Sequence, residues 1–505
     1  ILIGPHVMSF PMSHQSRPAE HPARKSSAAA FLKSRQGAFG KLMAMAGLLA
    51  AGSAIALSGI WLAGQATFAP LRESLSPGAM TFNPLTGKVS LRDIMLREDG
   101  INVRVGEIVF STSYAMLTPA FAAESFSLKN VTIDTAGFNY RAPTIDIAGA
   151  SVSQKDMSGY IDKSSAKPFA DLLATLSASS ISVPEATIEI GSGASKRVLE
   201  LKAVVMRDIA SGKAEVFTAA SGSLKGPSPV DGKFGVVNGR AIDLAVLAQV
   251  MAERPPPLDK TLFAQMTADK LQFRTAGGQL VVERLSSANV KVPQRGGAVR
   301  TLPALGTFSL EGVTMDVARA NAPSAKWTMK KLTLTADGAN DGVPTRFIIA
   351  GDTLSLAIPA NATDPTYKNL VDLGYSALVF SVNAEGNWMP ANNDFVVKEV
   401  AFRGDDIGVI GISAVLGKVS RDFFSAEQKA AQEAAKAVTV KSLGVNIENR
   451  GLFERIVARE ARKSGRSIEE ARRQLTAATA VAAAGMTATT PGAEAVKAAL
   501  LKFLN

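Results

Sequence analysis

Apolar and polar residues alternate with a period of two along most of the chain from about residue 78 to 415. This alternation is typical of half-buried β-strands, and Gly, Pro, Asn and Asp interrupt it at short intervals. The clearest predicted strands are residues 101–111, 144–150, 346–358, 377–384 and 407–416. Helical patterns at 166–178, 241–252 and 366–373 are interpreted as local insertions, because they lack the regular spacing of a parallel α/β fold.

One short motif recurs in the predicted strands. Residues 126–136 (FSLKNVTIDTA) and 308–318 (FSLEGVTMDVA) are identical at seven of eleven positions. Looser copies of the same pattern lie at 89–96, 181–188, 266–273, 327–334 and 395–402. The shared pattern is eight residues long: two apolar residues separated by any one residue, then two mostly polar residues, then two more apolar residues separated by any one residue. The irregular spacing of the copies excludes a solenoid or propeller of fixed period.

The apolar positions of the motif predict a bend within each strand. Their offsets of two, five and seven fit no helical face, so each copy is predicted to be a strand. The alternation slips by one residue at the polar pair, and a bulge or bend there would keep one apolar face and curve the sheet. The side chains predicted to form this groove or core are Val89, Leu91, Ile94, Leu96, Phe126, Leu128, Val131, Ile133, Phe308, Leu310, Val313 and Met315.

A membrane anchor is predicted before the strand-rich region. No charged residue occurs between Lys41 and Arg72, and residues 42–64 form a 23-residue apolar segment. As a helix it is about 35 Å long, against roughly 30 Å of hydrocarbon in a bilayer. The predicted anchor side chains are Leu42, Leu48, Leu49, Ile55, Leu57, Ile60, Trp61 and Leu62. The alternative is a signal peptide that is cleaved near residues 63–66.

The charge near the N-terminus predicts the orientation of the anchor in the membrane. Residues 1–41 carry six basic residues and one acidic residue, a net charge of +5. The positive-inside rule places this tail in the cytoplasm and the chain from about residue 70 in the bacterial periplasm. Of the total net charge of +11, only +6 remains for the other 464 residues. That charge is too dilute for a nucleic-acid groove, so nucleic acid is excluded as the main partner.

Composition restricts the available chemistry. The chain has no cysteine, and its three histidines, His6, His14 and His21, all precede the predicted anchor. Imidazole is the commonest general base near neutral pH, and imidazole and thiolate are common ligands of transition metals. The sequence therefore predicts no catalytic, cofactor-binding or metal-binding residue and a protein that is not an enzyme. A glycan hydrolase with two carboxylates is the enzymatic alternative.

Helical patterns return after residue 418, at 421–437 and 451–464, with one more predicted strand at 438–447. The helix at 451–464 has one apolar face, formed by Leu452, Phe453, Ile456, Val457 and Ala461. A capping box from Ser467 to Glu470 begins a helix that runs to about residue 484, and a last helix is predicted after Pro491. We interpret these helices as a cap on the end of the sheet. The alternative is a basic surface that lies on anionic lipid.

The N-terminal part resembles a known family. The predicted anchor is followed by the strand patterns at 81–96 (TFNPLTGKVSLRDIML), 103–110 (VRVGEIVF) and 126–134 (FSLKNVTID). Together these resemble the start of AsmA-like proteins, the group that includes TamB-like envelope proteins. The resemblance covers residues 42–136. It implies an elongated, curved β-sheet whose concave apolar face holds lipid chains near the bacterial envelope.

These observations predict a mainly β protein: an elongated, curved, groove-like antiparallel sheet with helical insertions. Its parts are an unstructured basic cytoplasmic tail (1–41), a transmembrane anchor (42–64), an exported β-rich domain (70–418) and a helical C-terminal cap (419–505). The leading hypothesis is an inner-membrane protein that binds or transfers lipid, or supports envelope assembly, with membrane lipid and an envelope protein as partners. The alternative is a structural or partner-binding anchor protein without a ligand.

Overall fold

The computed structural model describes the chain between residues 79 and 499 with gaps. The described residues are 79–83, 88–98, 101–111, 120–135, 138–153, 174, 176–191, 193, 196–226, 231–246, 260–275, 278–291, 306–319, 322–340, 343–360, 364–425, 428–484 and 496–499. The predicted tail and anchor (1–64) lie outside them. Within the described ranges, no helix combines the length and the apolar character needed to cross a membrane.

The described strands form one sheet of twenty strands, in which every neighbouring pair is antiparallel. The strands are β1 (Ala79–Asn83), β2 (Lys88–Glu98), β3 (Ile101–Ser111), β4 (Ala120–Thr135), β5 (Phe138–Ser153), β6 (Ala178–Ile190), β7 (Arg197–Ala210), β8 (Lys213–Ala219), β9 (Ser221–Lys225), β10 (Asp231–Phe234), β11 (Val237–Asp243), β12 (Thr261–Thr275), β13 (Gly278–Lys291), β14 (Thr307–Arg319), β15 (Ala322–Asn340), β16 (Val343–Ala357), β17 (Ala377–Met389), β18 (Asp394–Gly404), β19 (Gly408–Gly417) and β20 (Thr439–Asn449). The prediction of a large antiparallel sheet is confirmed.

The strands follow one another in chain order. Each strand from β1 to β7 pairs with the next, and so does each strand from β12 to β20. Between these two runs, β8 and β9 both pair with β7, while β10 and β11 both pair with β12. Because β8 also pairs with β11 and β9 with β10, the four short strands fill two strand positions between β7 and β12, with two short strands in each.

Several strands contain a single residue with left-handed backbone at the polar pair, where the apolar alternation shifts by one residue. In four copies of the motif the second polar residue has a positive φ: Asp93 (54°), Asn130 (51°), Lys270 (54°) and Gly312 (59°). The pairing of β14 with β15 passes from Glu311 to Val313 without Gly312. The predicted bend at the polar pair is therefore confirmed at these positions. We call the row of these left-handed residues the crease.

Because of the crease, the apolar residues on both sides of each polar pair face the same way. On β4, Phe126, Leu128, Val131 and Ile133 are all buried. Strand pairing extends this face across the sheet: Phe126 lies opposite Ile147, which lies opposite Ile181. We call this face of the sheet the inner face and the opposite one the outer face.

The other predicted core residues whose side chains are described also lie on the inner face, but with different exposure. On β2, Leu91 and Ile94 are buried, whereas the side chains of Val89 and Leu96 lie outside those described. On β14 the side chains are only partly buried; they are Phe308, Leu310, Val313 and Met315. The two nearly identical copies of the motif therefore occupy different environments.

The helices whose full length lies in the described ranges are all in the C-terminal part. They are α1 (Pro365–Asp372), the 3₁₀ helix η1 (Arg421–Phe424), α2 (Gln428–Ala437), α3 (Leu452–Ser464) and α4 (Ile468–Ala484). Helix α1 confirms the helix predicted at 366–373. Of the helix predicted at 241–252, residues 241–243 belong to β11, 244–246 are helical and 247–252 lie outside the described residues. The helix predicted at 166–178 is wrong at its end, because β6 begins at Ala178.

The pattern after residue 418 is largely confirmed. The predicted extra strand is β20, which extends the sheet beyond β19. Helix α4 begins with the predicted capping box, in which Glu470 N donates to Ser467 Oγ and Ser467 N donates to Glu470 Oε2, both at 3.2 Å. Residues 496–499 are helical, and the remainder of the last predicted helix lies outside the described residues.

Candidate functional site

The inner face changes from closed to partly open between β13 and β14. On β13, Val282 and Leu285 are each 2% exposed. Their partners on β14, Val313 and Leu310, are only partly buried. Exposure is greatest on β19, where Ile412 is 39% and Ile410 47% exposed. An apolar face is thus partly accessible across the seven neighbouring strands from β14 to β20.

Two rows of cross-strand neighbours build this open face. From β14 to β20, the first row is Phe308, Leu334, Ile349, Ala384, Val400, Ile412 and Val445, and the second is Leu310, Leu332, Gly351, Val382, Phe402, Ile410 and Ile447. We call the surface of these two rows the trough. At about 4.8 Å per strand, it is about 30 Å long. Neither row contains a charged or polar side chain, so the trough offers van der Waals contact without hydrogen-bonding groups.

An aromatic pair stiffens the middle of the trough. The rings of Phe380 and Phe402 stack with their centroids 4.6 Å apart and an angle of 30° between their planes. Phe380 lies on the inner face beside the second row, opposite Leu354. Offset stacking of this kind contributes about 0.5–1.5 kcal/mol beyond the area that the rings bury. The pair therefore holds two large side chains in a fixed arrangement on the floor of the trough.

An aromatic cluster covers the inner face beside the trough at one end of the strands. Phe424, from η1, stacks on Phe347 with centroids 5.5 Å apart and lies 5.1 Å from the ring of Trp388. Phe395 and Val419 complete the buried centre of the cluster. The indole Nε1 of Trp388 donates to Val419 O at 2.9 Å, so the one polar atom of the ring is satisfied. We call this cluster the aromatic end.

Helix α1 closes the opposite end of the same strands. Tyr367 from the helix and Tyr375 after it pack against Leu356 and Ile358, which lie on and just after β16. Tyr375 Oη donates to Asp406 O at 2.8 Å, and burial raises the pKa of this phenol. We call this cluster the helical end. The trough lies between the two ends, where neither cluster reaches.

Arginine side chains of α3 bind the end of α1. Arg455 Nη1 donates to Gly374 O at 3.0 Å, and its guanidinium lies 4.3 Å from the ring centroid of Tyr375. Arg462 Nη2 donates to Asp372 O at 2.8 Å. A cationic group at the C-terminus of a helix satisfies free carbonyls and opposes the negative end of the helix dipole. These contacts hold α3 against the end of α1 and not against an edge of the sheet, so the interpretation of the C-terminal helices as a cap on the end of the sheet stays a prediction.

The outer face of the sheet carries alternating charge where the inner face is apolar. Along the crease, Arg284 Nε lies 2.8 Å from Asp269 Oδ1, and Lys331 Nζ lies 2.9 Å from Glu311 Oε1. Strand pairing places Glu311 opposite Arg284 and Asp352 opposite Lys331, so the sign alternates over five strands. Opposite charges on neighbouring strands favour this register over a shifted one.

Part of the trough follows from the sequence pattern, and part does not. Phe308 and Leu310 from the predicted set lie in it, whereas Phe126 and Leu128 lie on the closed part of the inner face. The trough residues on β15 to β20 are absent from the predicted set. Alternation on β19, with Ile410 and Ile412 separated by one residue, is the signal that marks their common face.

A comparison with protein-family models matches residues 401–505 to a family described as "Uncharacterized protein". This region begins within β18 and includes β19, β20, α3 and α4. The comparison with curated proteins gives no match.

Proposed function

We propose that this protein is a non-enzymatic, membrane-anchored envelope protein that binds lipid through the trough. The observation that carries the proposal is the open apolar surface between β14 and β20. Surfaces of this kind mark binding sites, because exposed apolar area costs free energy until a partner covers it. A hydrocarbon chain lying along the rows would contribute about 0.8 kcal/mol for each methylene that it buries.

The chemistry of the trough favours an acyl chain over a polar ligand. Its two rows carry no hydrogen-bonding side chain, so a sugar or nucleotide would lose its water without compensation. The length of about 30 Å suits an extended chain. The sequence supports a nearby source of such chains, because residues 42–64 are long and apolar enough for a bilayer anchor. We therefore propose an inner-membrane anchor, a periplasmic sheet and a role in lipid transfer or envelope assembly.

A matched pair of charge substitutions tests the proposal. Ile410 on the inner face and Val379 on the outer face of β17 are 47% and 42% exposed, so neither change should disturb the core. We expect Ile410→Asp to weaken binding of a phospholipid with a fluorescent acyl chain at least tenfold, because a carboxylate would lie against hydrocarbon. Val379→Asp should bind like the wild type. The measurement is fluorescence titration of the full-length protein in detergent micelles, with circular dichroism to compare folding.

Either of two results would overturn the proposal: no saturable binding by the wild type, or equal loss in both variants. The first would favour the alternative of a structural or partner-binding protein without a ligand. The second would show that the probe does not distinguish the two faces of the sheet.

A further inference from the structure

Strand β20 is an edge strand with one open side. It pairs with β19 along Thr439–Asn449, and no second strand of the described ranges pairs with it. At eleven residues, it is longer than the five-residue strand β1 at the other end of the sheet. An exposed edge of this length presents a row of unpaired backbone N–H and C=O groups to a further strand.

The usual protection of an edge strand is weak on β20. Such strands are commonly guarded by proline, by lysine or by a bulge. β20 contains no proline, and its one lysine, Lys441, is drawn to the carboxylate of Asp394 at 2.6 and 2.8 Å. The shift in register against β19 is confined to this end of the strand. From Ser442 to Glu448 the pairing with β19 is regular, and no strand of the described residues occupies the other side.

The apolar inner face runs up to this edge and stops there. Ile410 and Ile412 on β19 are exposed, and so is Val440 on β20, at 44%. On β20 itself, Leu443, Val445 and Ile447 point to the inner face, and all three are only partly buried. A further strand would cover the backbone edge and extend the apolar surface in one step.

We propose that β20 pairs with β20 of a second copy of this chain, antiparallel, about a two-fold axis at Val445. An added strand must keep residues of the same face opposite one another. With the axis at Val445, Leu443 lies opposite the partner's Ile447. On the outer face, Ser442 lies opposite the partner's Glu448, so no like charges meet.

The symmetry of the β20 sequence indicates that the partner is a second copy of this chain. Its apolar residues lie symmetrically around Val445, two positions before and two after it, and no charge occurs within two residues. A two-fold pairing is self-complementary and closed, so it gives a dimer and not a fibre. It also joins the troughs of two copies across the axis. The pairing does not depend on what the trough binds.

Cysteine cross-linking tests the register, because the natural chain has no cysteine. Val445→Cys would place two thiols directly opposite each other at the axis, within the Cα distance of about 7 Å that a disulfide allows. Ser442→Cys is the control: in this register the two copies of residue 442 are six residues apart along the strand, roughly 20 Å. We expect the full-length Val445→Cys protein to give a covalent dimer on mild oxidation in membranes, and Ser442→Cys to stay monomeric on a non-reducing gel.

Charge reversal tests the pairing without covalent chemistry. Val445→Lys or Val445→Glu would each place like charges opposite each other, so each variant should dimerise at least tenfold more weakly than the wild type or Val445→Thr. Mixing the lysine and glutamate variants should restore dimers, as measured by light scattering of the full-length protein in detergent. A wild type that is monomeric at all concentrations would overturn the proposal. So would single variants that still dimerise, or a mixture that stays monomeric.

Discussion

Lys270, one of the residues of the crease, has an unfavourable backbone conformation. Its φ of 54° is left-handed, a conformation that costs an ordinary L-residue about 1–2 kcal/mol. The equivalent positions on β2, β4 and β14 carry Asp, Asn and Gly, the residue types that tolerate this conformation best. At Gly312 a β-carbon would also clash with the side chain of Glu283 on the neighbouring strand.

Replacing Lys270 by asparagine should therefore stabilise the fold. We expect Lys270→Asn to raise the free energy of unfolding by about 0.5–1 kcal/mol, because asparagine lowers the left-handed strain. Gln272→Asn is the matched control two residues away on the same strand, where asparagine should be slightly destabilising. Urea denaturation measures both. A lower stability for Lys270→Asn would mean that strain at the crease is not relieved by this residue type.

Glu107 stabilises the outer face through its charge. Its carboxylate accepts hydrogen bonds from Lys129 Nζ at 2.7 Å and Ser90 Oγ at 2.8 Å, and these lower its pKa from 4.5 to about 2. Because the pKa is lower in the folded state, the stabilisation is complete above pH 4.5 and is lost as the pH falls towards 2. Lys129 is half-exposed, so solvent screening limits the effect to about 1 kcal/mol.

Glu107→Gln tests this pH dependence. At pH 7 the variant should be less stable than the wild type by about 1 kcal/mol, and the difference should shrink between pH 4.5 and 2. Urea denaturation at several pH values measures the difference. Glu215→Gln, from the exposed pair with Arg240, should change stability by less than about 0.5 kcal/mol. A difference for Glu107→Gln that stays constant down to pH 2 would contradict the assigned role of its charge.

At the scale of elements, the motif predicts the positions of strands well. Strand β3 has the bounds expected from alternation alone, and the described residues of every copy of the motif lie in a strand. A further copy lies at 199–206 on β7. Alanine replaces the second polar residue there, so the sequence pattern does not mark it, yet Ala203 has a φ of 49°. The helix predicted at 241–252 is wrong at its start, because residues 242 and 243 pair with β8 and so belong to strand β11.

The attachment of α1 to α3 can be tested through Arg455. Arg455→Met keeps an apolar stem but removes the donor to Gly374 O and the cation over Tyr375. We expect a loss of about 1–3 kcal/mol and faster hydrogen exchange of the α1 amides, measured by mass spectrometry. Arg473→Met, at an exposed position of α4, should leave exchange in α1 unchanged. Equal exchange in the wild type and Arg455→Met would show that the arginine does not hold the helix.

At the scale of the whole sheet, exposure is the property that the sequence does not predict. Residues 126–136 and 308–318 share seven of eleven positions, yet Leu128 is fully buried and Leu310 only partly. Local pattern determines which face a side chain takes, because alternation and the crease act within one strand. Burial depends on what covers that face, and contacts of that kind connect residues far apart in the chain.

The most direct test of lipid binding by the trough is photo-crosslinking in the native membrane. A photoreactive phenylalanine analogue would replace Phe380, which lies beside the trough, or Val379, its neighbour on the outer face. Mass spectrometry of the purified full-length protein then identifies what each position touches. We expect lipid adducts at position 380 and none at 379. Absence of lipid at position 380, or equal labelling of both positions, would show that the trough does not bind lipid.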